Sequence, residues 1–530
     1  MKFVINDDLT KLILKESTSE EYHQLRLYLN RHLKNYMFMA KFKLTRGSSN
    51  PWDGKHEQFH GGNIDFGLWH SCYKCCKEYG FPFEILNKEK LPLDRDVKKE
   101  EIEKFCKDFY KDHKDKEDIT KPFIPYEHQE ESIFRLLKHQ YGRIEVATAG
   151  GKSLIFGSMI FYYLTHVNPN AKFLLIVPTL DLVTQFYNDI NDYNYGYHNE
   201  NTNPMQNIRM DEVMSDKPRK YHGDEPNIYI GTYQSLVKWP VEFFQQFDVV
   251  CCDEAHRAKG NQLKTILRNT FGYAKIRFGM SGTYPPEDSA ELLMIESVTG
   301  PLLFNIKAKK LMELGIISYC KIKAIILNHG DYNFASNVFS IKRKNGRKAW
   351  ELEKKYAQNS LNRKIFIGKL VNKFKNNSMV LFQNIEYGKE LYNYLRNNIS
   401  DKDVYYIDGG TKKEKRQIIK KQMEDTSGNV KILVASFGTS ATGINIKAIV
   451  NLVFADSFKS DQIIRQAIGR ALRLHSTKEN AIIFDLVDLF HHEFIKGTLY
   501  NHFQSRKKDI YDKQGYPYEE LKFNISNMTN

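Results

Sequence analysis

What most narrows the folds open to this chain is a rhythm of short apolar runs separated by longer amphipathic stretches. Phe173 to Val177, Asn227 to Ile230, Val249 to Cys252 and Arg277 to Met280 form one series. Met379 to Phe382, Val404 to Ile407, Ile432 to Ala435, Val450 to Phe454 and Ala481 to Phe484 form a second. Runs of that length, rich in Val, Ile and Phe and flanked by turn residues, are what strands buried on both faces look like between crossover helices. The spacing therefore predicts an α/β chain with two consecutive parallel-sheet layers. No shorter repeat of solenoid or propeller period runs through it.

A length of 530 residues fits three or four domains. Hydrophobic residues at 41% and aromatics at 13% supply several cores and exclude wholesale disorder. Residues 1–95 mix short strand-like and helical segments (Tyr36 to Leu44, Phe66 to Tyr79) around the turn-rich stretch from Gly47 to Gly54, and read as a small α+β module. Residues 96–121, dominated by Lys, Asp and Glu, read as a charged helix and linker. The two layers then occupy 122–305 and 306–500, with a basic loop over 328–356 inside the second and a polar, peripheral tail over 501–530.

Lys and Arg number 78 against 64 Asp and Glu, a net charge of +14 that favours a polyanionic partner. No apolar run approaches the roughly 18 to 20 residues a membrane helix needs. The opening residues, with Asp7 and Asp8, lack the basic start and apolar core of a secretory signal, so the expectation is a cytoplasmic protein without a membrane partner. Seven scattered cysteines suit reduced thiols. Cys72, Cys75 and Cys76 resemble half a zinc site, but with Leu68 and Tyr79 they follow helical spacing, which predicts a buried helix face.

The chemistry concentrates in two segments. Val146-Ala-Thr-Ala-Gly-Gly-Lys-Ser153 follows a β-like stretch (Ile144 to Ala147) and opens an apolar helix, the setting of a phosphate loop. Thr148, Gly150 and Gly151 would bring backbone amides to the phosphates of a nucleotide. Lys152 would reach the β- and γ-phosphates, and the Ser153 hydroxyl would ligand magnesium. Val146 stands where the full GxxxxGKS pattern has its first glycine. Val249-Val-Cys-Cys-Asp-Glu-Ala-His256 sets two carboxylates at the end of an apolar strand, where Asp253 can hold the magnesium water shell and Glu254 can orient and deprotonate an attacking water.

Asp253-Glu-Ala-His256 resembles the DEAH form of motif II in superfamily 2 helicases, and further family motifs follow in order. Tyr126 and Gln129 resemble the adenine-reading Q motif, Val177-Pro-Thr-Leu180 resembles motif Ia, Gly231-Thr-Tyr-Gln-Ser235 the next strand-contacting motif, and Ser281-Gly-Thr283 motif III. In the second half, Leu381-Phe-Gln with Gly388 resembles motif IV, Ala435-Ser-Phe through Thr442-Gly-Ile-Asn445 motif V, and Gln466-Ala-Ile-Gly-Arg-Ala-Leu-Arg473 motif VI. The resemblance implies two tandem RecA-like domains that use ATP and Mg2+. It implies nucleotide contacts from Gln129, Gly443 and Asn445, although many relatives carry aspartate at position 445. Thr179, Thr232 and Thr442 would touch the backbone of the tracked strand, and His256, Ser281 and Thr283 would couple the two activities. Taken singly, each of these threonines fits a helix cap or strand position equally well. Arg470 and Arg473, one helical turn apart, would reach the transferred phosphoryl with Gln466 beside them.

Asn50-Pro-Trp-Asp-Gly-Lys55 and Asp65-Phe-Gly-Leu68 are similar to the leading domain of the phage UvsW-type recombination and repair helicases. That likeness implies a motor, expected to be monomeric, that remodels Holliday junctions, forks and R-loops, with DNA and RNA:DNA hybrids as partners. Lys41, Lys43, Lys55 and Trp52 give the leading module a basic and aromatic character suited to nucleic acid. Trp52 as a core residue amid solvated lysines accounts for them equally well. Three other readings stay open: an RNA helicase, the motor subunit of a restriction system, and a nucleic-acid binder with an inactive ATPase core.

Overall fold

A computed structural model describes residues 1–33, 53–91, 95–114, 122–195, 208–213, 225–270, 272–438, 446–457, 461–472, 480–492 and 495–528. Contacts divide the chain into two compact units. Met1–Ala147 and Gly151–Ile306 form the first, and Thr148–Gly150 and Lys307–Asn530 the second.

The first unit opens with strands β1 (Lys2–Ile5), β2 (Lys11–Glu16), β3 (Phe59–His60), β4 (Asn63–Asp65) and β5 (Glu84–Ile85), in the mixed order β3-β4-β2-β1-β5. Helices α1 (Ser19–Leu29) and α2 (Trp69–Tyr79) accompany this sheet. Helix α1 begins at a capping box: the Thr18 hydroxyl accepts from the Glu21 amide, and the Glu21 carboxylate accepts from the Thr18 amide. Cys72, Cys75 and Cys76 are buried free thiols of α2, in one core with Phe3, Leu25 and Phe66, as the helical spacing predicts.

That core also takes in Tyr141 and Leu293 from the parallel-sheet domain, and the Phe66 and Tyr141 rings stack at 5.5 Å. A Cβ at Gly67 would collide with the carbonyl oxygens of Glu296 and Ser297, so only glycine permits the approach. Asp65 binds Lys11 at 2.6 Å and Arg268 at 2.5 Å, and Ser71 donates to Glu296 at 2.8 Å. The leading module and the first parallel-sheet domain are thus continuous through shared apolar and polar contacts.

Helix α3 (Lys99–Phe109) lies in the segment expected to be a charged helix and linker. It carries Ile102, Phe105 and Cys106 inward, and the following Tyr110 hydroxyl bonds Ser158 at 2.7 Å. The high charge hid a narrow apolar stripe at i, i+3, i+4, so this part of the segment belongs to the domain core. Then come α4 (Glu127–His139), β6 (Tyr141–Val146), α5 (Lys152–His166), β7 (Phe173–Val177), α6 (Leu180–Tyr195), β8 (Met210–Val213), β9 (Ile228–Thr232), β10 (Val249–Asp253), α7 (Asn261–Asn269), β11 (Ile276–Ser281), α8 (Ala290–Thr299) and β12 (Leu302–Ile306). The strands form a parallel sheet in the order β8-β9-β7-β10-β11-β6-β12. Every residue of β7, β9, β10 and β11 is buried, which is why they are rich in apolar residues and show no alternation with polar ones, Arg277 of β11 apart.

The second unit contains β13 (Tyr319–Asn328), α9 (Tyr332–Lys344), α10 (Gly346–Asn359), α11 (Leu361–Asn372), β14 (Ser378–Phe382), α12 (Ile385–Asn398), β15 (Asp403–Ile407), α13 (Lys413–Glu424), β16 (Lys431–Ser436), β17 (Asn451–Phe454), α14 (Asp461–Ala471), β18 (Asn480–Leu489), α15 (Thr498–Arg506) and β19 (Tyr518–Asn524). Its parallel sheet runs β15-β16-β14-β17-β18-β13-β19. The fold is therefore α/β, with two tandem RecA-like sheets behind a small α+β module.

Two expectations are corrected. Residues 328–356 are not a loop: Asp331 caps α9 and Asn345 caps α10, each accepting from the amide three residues on. Residues 501–530 are not a peripheral tail, because β19 pairs with β13 over seven residues, from Ile322↔Tyr518 to Asn328↔Asn524. A polar edge strand lacks the apolar signature of a central one. Among the described residues, no helix is long and apolar enough to cross a membrane.

Candidate active site

Strands β10, β11 and β6 are consecutive neighbours in the first sheet, so the segments that follow them open side by side at its carboxyl edge. Neighbouring strands lie about 4.8 Å apart, which puts the acidic pair after β10 roughly 10 Å from the loop after β6.

That loop turns through two left-handed positions, Ala149 at φ 68° and Gly151 at φ 82°. Val146, still buried in β6, lies before the turn, so the missing first glycine costs nothing there. Any side chain at Gly151 would strike the amide nitrogen of Gln129. The Gln129 carbonyl is fixed by the Tyr126 amide at 2.8 Å, which leaves its NH2 group facing the glycine. Gln129 and the glycine loop thus meet.

Lys152 and Ser153 begin α5. The Ser153 hydroxyl shares a 3.0 Å hydrogen bond with the hydroxyl of Tyr193 on α6. The Tyr193 carbonyl in turn accepts from His113 Nε2 at 2.9 Å. Nothing in the sequence signals Tyr193, since only the packing of α6 on α5 brings it to position 153.

Asp253 ends β10 buried, and its Oδ1 has no hydrogen-bond partner among the described residues. Burial and then the adjacent Glu254 carboxylate push the Asp253 carboxyl up, against the pull of Lys152. Glu254 takes a left-handed backbone, φ 51°, a strained conformation of the kind found at reacting sites. Burial opposes its charge, yet the hydrogen bond from His256 and the field of Lys152 hold its carboxyl low. His256 Nδ1 lies 3.1 Å from Glu254 Oε2 and 2.9 Å from Ser281 Oγ. Ser281 donates its own proton to the Thr283 carbonyl at 2.8 Å and accepts from the Thr283 amide at 3.2 Å. His256 Nδ1 must therefore carry a proton and donate it, and one imidazole joins the acidic pair to the Ser-Gly-Thr segment.

An unpartnered buried carboxylate oxygen and a serine hydroxyl at a helix start suit a divalent cation, and a glycine cradle at a helix N-terminus suits phosphates. Gln129, Gly151, Lys152, Ser153 and Asp253 could hold such a pair in the first unit.

The remaining predicted residues fall into three groups. Thr232 is buried and caps a short helical turn, its hydroxyl accepting from the Ser235 amide at 3.3 Å and donating to the Ser235 hydroxyl at 3.2 Å. The Thr179 carbonyl starts α6, while its buried hydroxyl has no partner among the described residues. In the leading module Lys55 pairs with His32 in a two-residue ladder. Gln466 is half-buried on α14, which also carries the backbone of Arg470. Lys41, Lys43, Trp52, Thr442, Gly443, Asn445, Arg473 and the Arg470 side chain lie outside the described residues.

The family described as "Type III restriction enzyme, res subunit" matches residues 122–286, and the helicase conserved C-terminal domain matches 362–475. The ATP-dependent DNA helicase uvsW of Enterobacteria phage T4 is 30% identical over 479 residues, covering 89% of this chain and 88% of that protein. The chain belongs to the UvsW family of ATP-dependent helicases. The crystal structure of T4 UvsW is 24% identical and covers 99% of each chain, with a TM-score of 0.45. The ATP-dependent Type ISP restriction-modification enzyme LlaBIII bound to DNA, 14% identical and covering 77% of this chain and 32% of that one, shares the fold at a TM-score of 0.55. As a UvsW-family helicase, the chain is an enzyme that uses nucleotide and binds nucleic acid.

Proposed function

We propose that this UvsW-family enzyme is a monomeric, cytoplasmic DNA motor that remodels branched substrates, migrating Holliday-type junctions and unwinding forks and R-loops. The observation that carries the chemistry is the buried, unpartnered Oδ1 of Asp253 in the field of Lys152. The DNA substrate is supported by the T4 relative, whose printed name is a DNA helicase.

Lys152 binds the β- and γ-phosphates of ATP, with Thr148, Gly150 and Gly151 offering backbone amides and Gln129 reading the adenine. Ser153 and Asp253 hold Mg2+, which supplies charge neutralisation of the phosphates when bound. Glu254, kept ionised, takes the proton of the attacking water. Arg470 and Arg473 stabilise the transferred phosphoryl, with Gln466, Gly443 and Asn445 as further nucleotide contacts. His256 senses the change at Glu254 and passes it through Ser281 and Thr283. Thr179 and Thr442 grip the strand backbone without reading bases, and Lys41, Lys43 and Lys55 add phosphate contacts from the leading module. Thr232, whose hydroxyl already caps a helical turn, would contribute through its backbone.

The test is ATPase and unwinding measured side by side on a fork, a four-way junction, an RNA:DNA hybrid and linear duplex. Branched DNA should give the highest activity; stimulation by RNA alone would replace the DNA reading with an RNA helicase. Lys152→Ala and Glu254→Ala should each abolish stimulated ATPase while DNA binding stays measurable. Full unwinding by either would refute the site.

A further inference from the structure

Helices α9 and α10 form a hairpin on the second unit. Phe334 near its start and Tyr356 near its end touch at 4.2 Å between ring centroids, and Asn345 is the hinge that ends one helix and caps the other. The base is firmly held. Tyr356 donates to Asp331 at 3.0 Å, and Phe490 packs on both rings at 5.1 and 5.2 Å. Buried Glu353 accepts from the amides of Thr498 and Leu499, both at 2.8 Å, which caps α15.

The far end is the opposite in character. Residues 342–348 read Lys-Arg-Lys-Asn-Gly-Arg-Lys, with no acid among them. Arg343, Lys344, Arg347 and Lys348 are exposed, and Arg347 meets Glu351 only in an exposed i,i+4 pair at 3.0 Å. Arg343 is steadied over the Phe339 ring at 4.7 Å. Such like charges around one turn repel and destabilise the tip unless an anion covers them. A well-held base and a tip whose cations outnumber their acidic partners describe an arm suited to external negative charge.

We propose that the tip of the α9–α10 hairpin docks on the phosphate backbone of a nucleic-acid duplex. The tip itself has no aromatic side chain on which an unpaired base could stack, so it suits phosphates rather than single-strand bases. A duplex offers the densest ladder of them, one negative charge per about 1.7 Å of axis. The inference rests on the reading of the enzyme as a DNA motor, and gives the second unit a grip on the paired arm independent of the tracked strand.

The test uses the whole 530-residue chain with Arg343→Glu, Lys344→Glu, Arg347→Glu and Lys348→Glu combined, alongside the same four positions changed to Gln. Binding to a blunt DNA duplex and to poly-dT is measured across a salt series without nucleotide, together with ATPase. Losing four phosphate contacts should flatten the log–log salt slope for duplex by roughly 3 to 4, and duplex affinity should fall at least tenfold, with the Gln set intermediate. Poly-dT affinity, poly-dT-stimulated ATPase and the melting temperature should stay as in the unaltered chain. An unchanged duplex slope, or an equal loss on poly-dT, overturns the proposal. If the unaltered chain showed no DNA-stimulated ATPase, the DNA-motor reading would fail instead.

Discussion

The two parallel sheets bury carboxylates at their strand ends in opposite states. In the first, Asp253 is enclosed with one oxygen unpartnered, and its carboxyl is pushed up by burial and by Glu254. In the second, Asp488 on β18 is just as buried, but its Oδ1 accepts from Arg363 Nε at 2.7 Å and faces His329 Nε2 at 2.9 Å. Burial alone would raise its pKa; Arg363 and His329 bring it down to about 2. Asp485, on the same strand, receives Arg506 at 2.9 and 3.0 Å and Tyr511 at 2.7 Å. Asp488 and Asp485 are completed by side chains packed around their sheet, whereas Asp253 Oδ1 has no partner among the described residues and is left for a cation. Asp488 and Asp485 thus help hold the second unit together, as Asp65 does the first, whereas Asp253 is placed for a ligand.

The largest effect should come from breaking the completed side. Arg363→Met leaves Asp488 buried beside His329 without its guanidinium, and also removes the donor to Tyr387 and the Ala455 carbonyl. Losing one partner of a buried pair costs about 3 to 5 kcal/mol, so urea unfolding should show a loss of that order. A loss below about 1 kcal/mol would mean the network carries no stability. Asp253→Asn should do the reverse. Stability should hold or rise slightly, since an unfavourable buried charge is removed, while stimulated ATPase falls by roughly a hundredfold, or about 2.7 kcal/mol of transition-state stabilisation. A destabilised but active Asp253→Asn enzyme would erase the contrast between the sheets.

How much of this contrast could be read in the sequence depends on what each side chain signals alone. The strand runs β7, β10, β14 and β16 were legible because all their residues face protein on both sides. Strand β19, Tyr-Glu-Glu-Leu-Lys-Phe-Asn, was not, because an edge strand mostly exposed to solvent needs no apolar run. The α9–α10 hairpin was hidden by its cations, although Asp331 and Asn345 stand at ordinary capping positions. Lys152, Ser153, Asp253 and Glu254 were legible because their chemistry depends on local spacing. Arg363, Asp488 and Tyr193 were not, because each acquires its role from partners brought near only by the fold.

Acid sharpens the comparison by a smaller amount. Asp488 has a folded pKa of about 2 against a usual value of 3.8. A carboxylate lowered on folding stabilises above its unfolded pKa and loses that contribution as pH falls through the folded one. The unaltered chain should therefore lose about 2 kcal/mol from this group between pH 5 and pH 2. The double replacement Arg363→Met with Asp488→Leu removes the titrating pair and should show a correspondingly flatter decline in urea stability over that range. Parallel curves would place the acid sensitivity elsewhere.

The smallest effect lies at the unfinished site itself. For Ser153 to give a lone pair to a cation, its proton must point to another acceptor, and the Tyr193 hydroxyl at 3.0 Å is placed to take it. Tyr193 is fixed for this by the His113 bond to its carbonyl and by its ring lying against Gly157, where an added Cβ would come within 3.1 Å. Tyr193→Phe keeps the ring and removes only the hydroxyl, so the serine loses its orientation and the fold is undisturbed. The Mg2+ concentration for half-maximal ATPase should rise about three- to fivefold, under 1 kcal/mol, with the rate at saturating Mg2+ nearly unchanged. Fluorescent-nucleotide binding should weaken in the presence of Mg2+ and stay the same in its absence. If both affinities fell together, Tyr193 would be a packing residue of α6, and the first sheet would complete its cation site without help from a neighbouring helix.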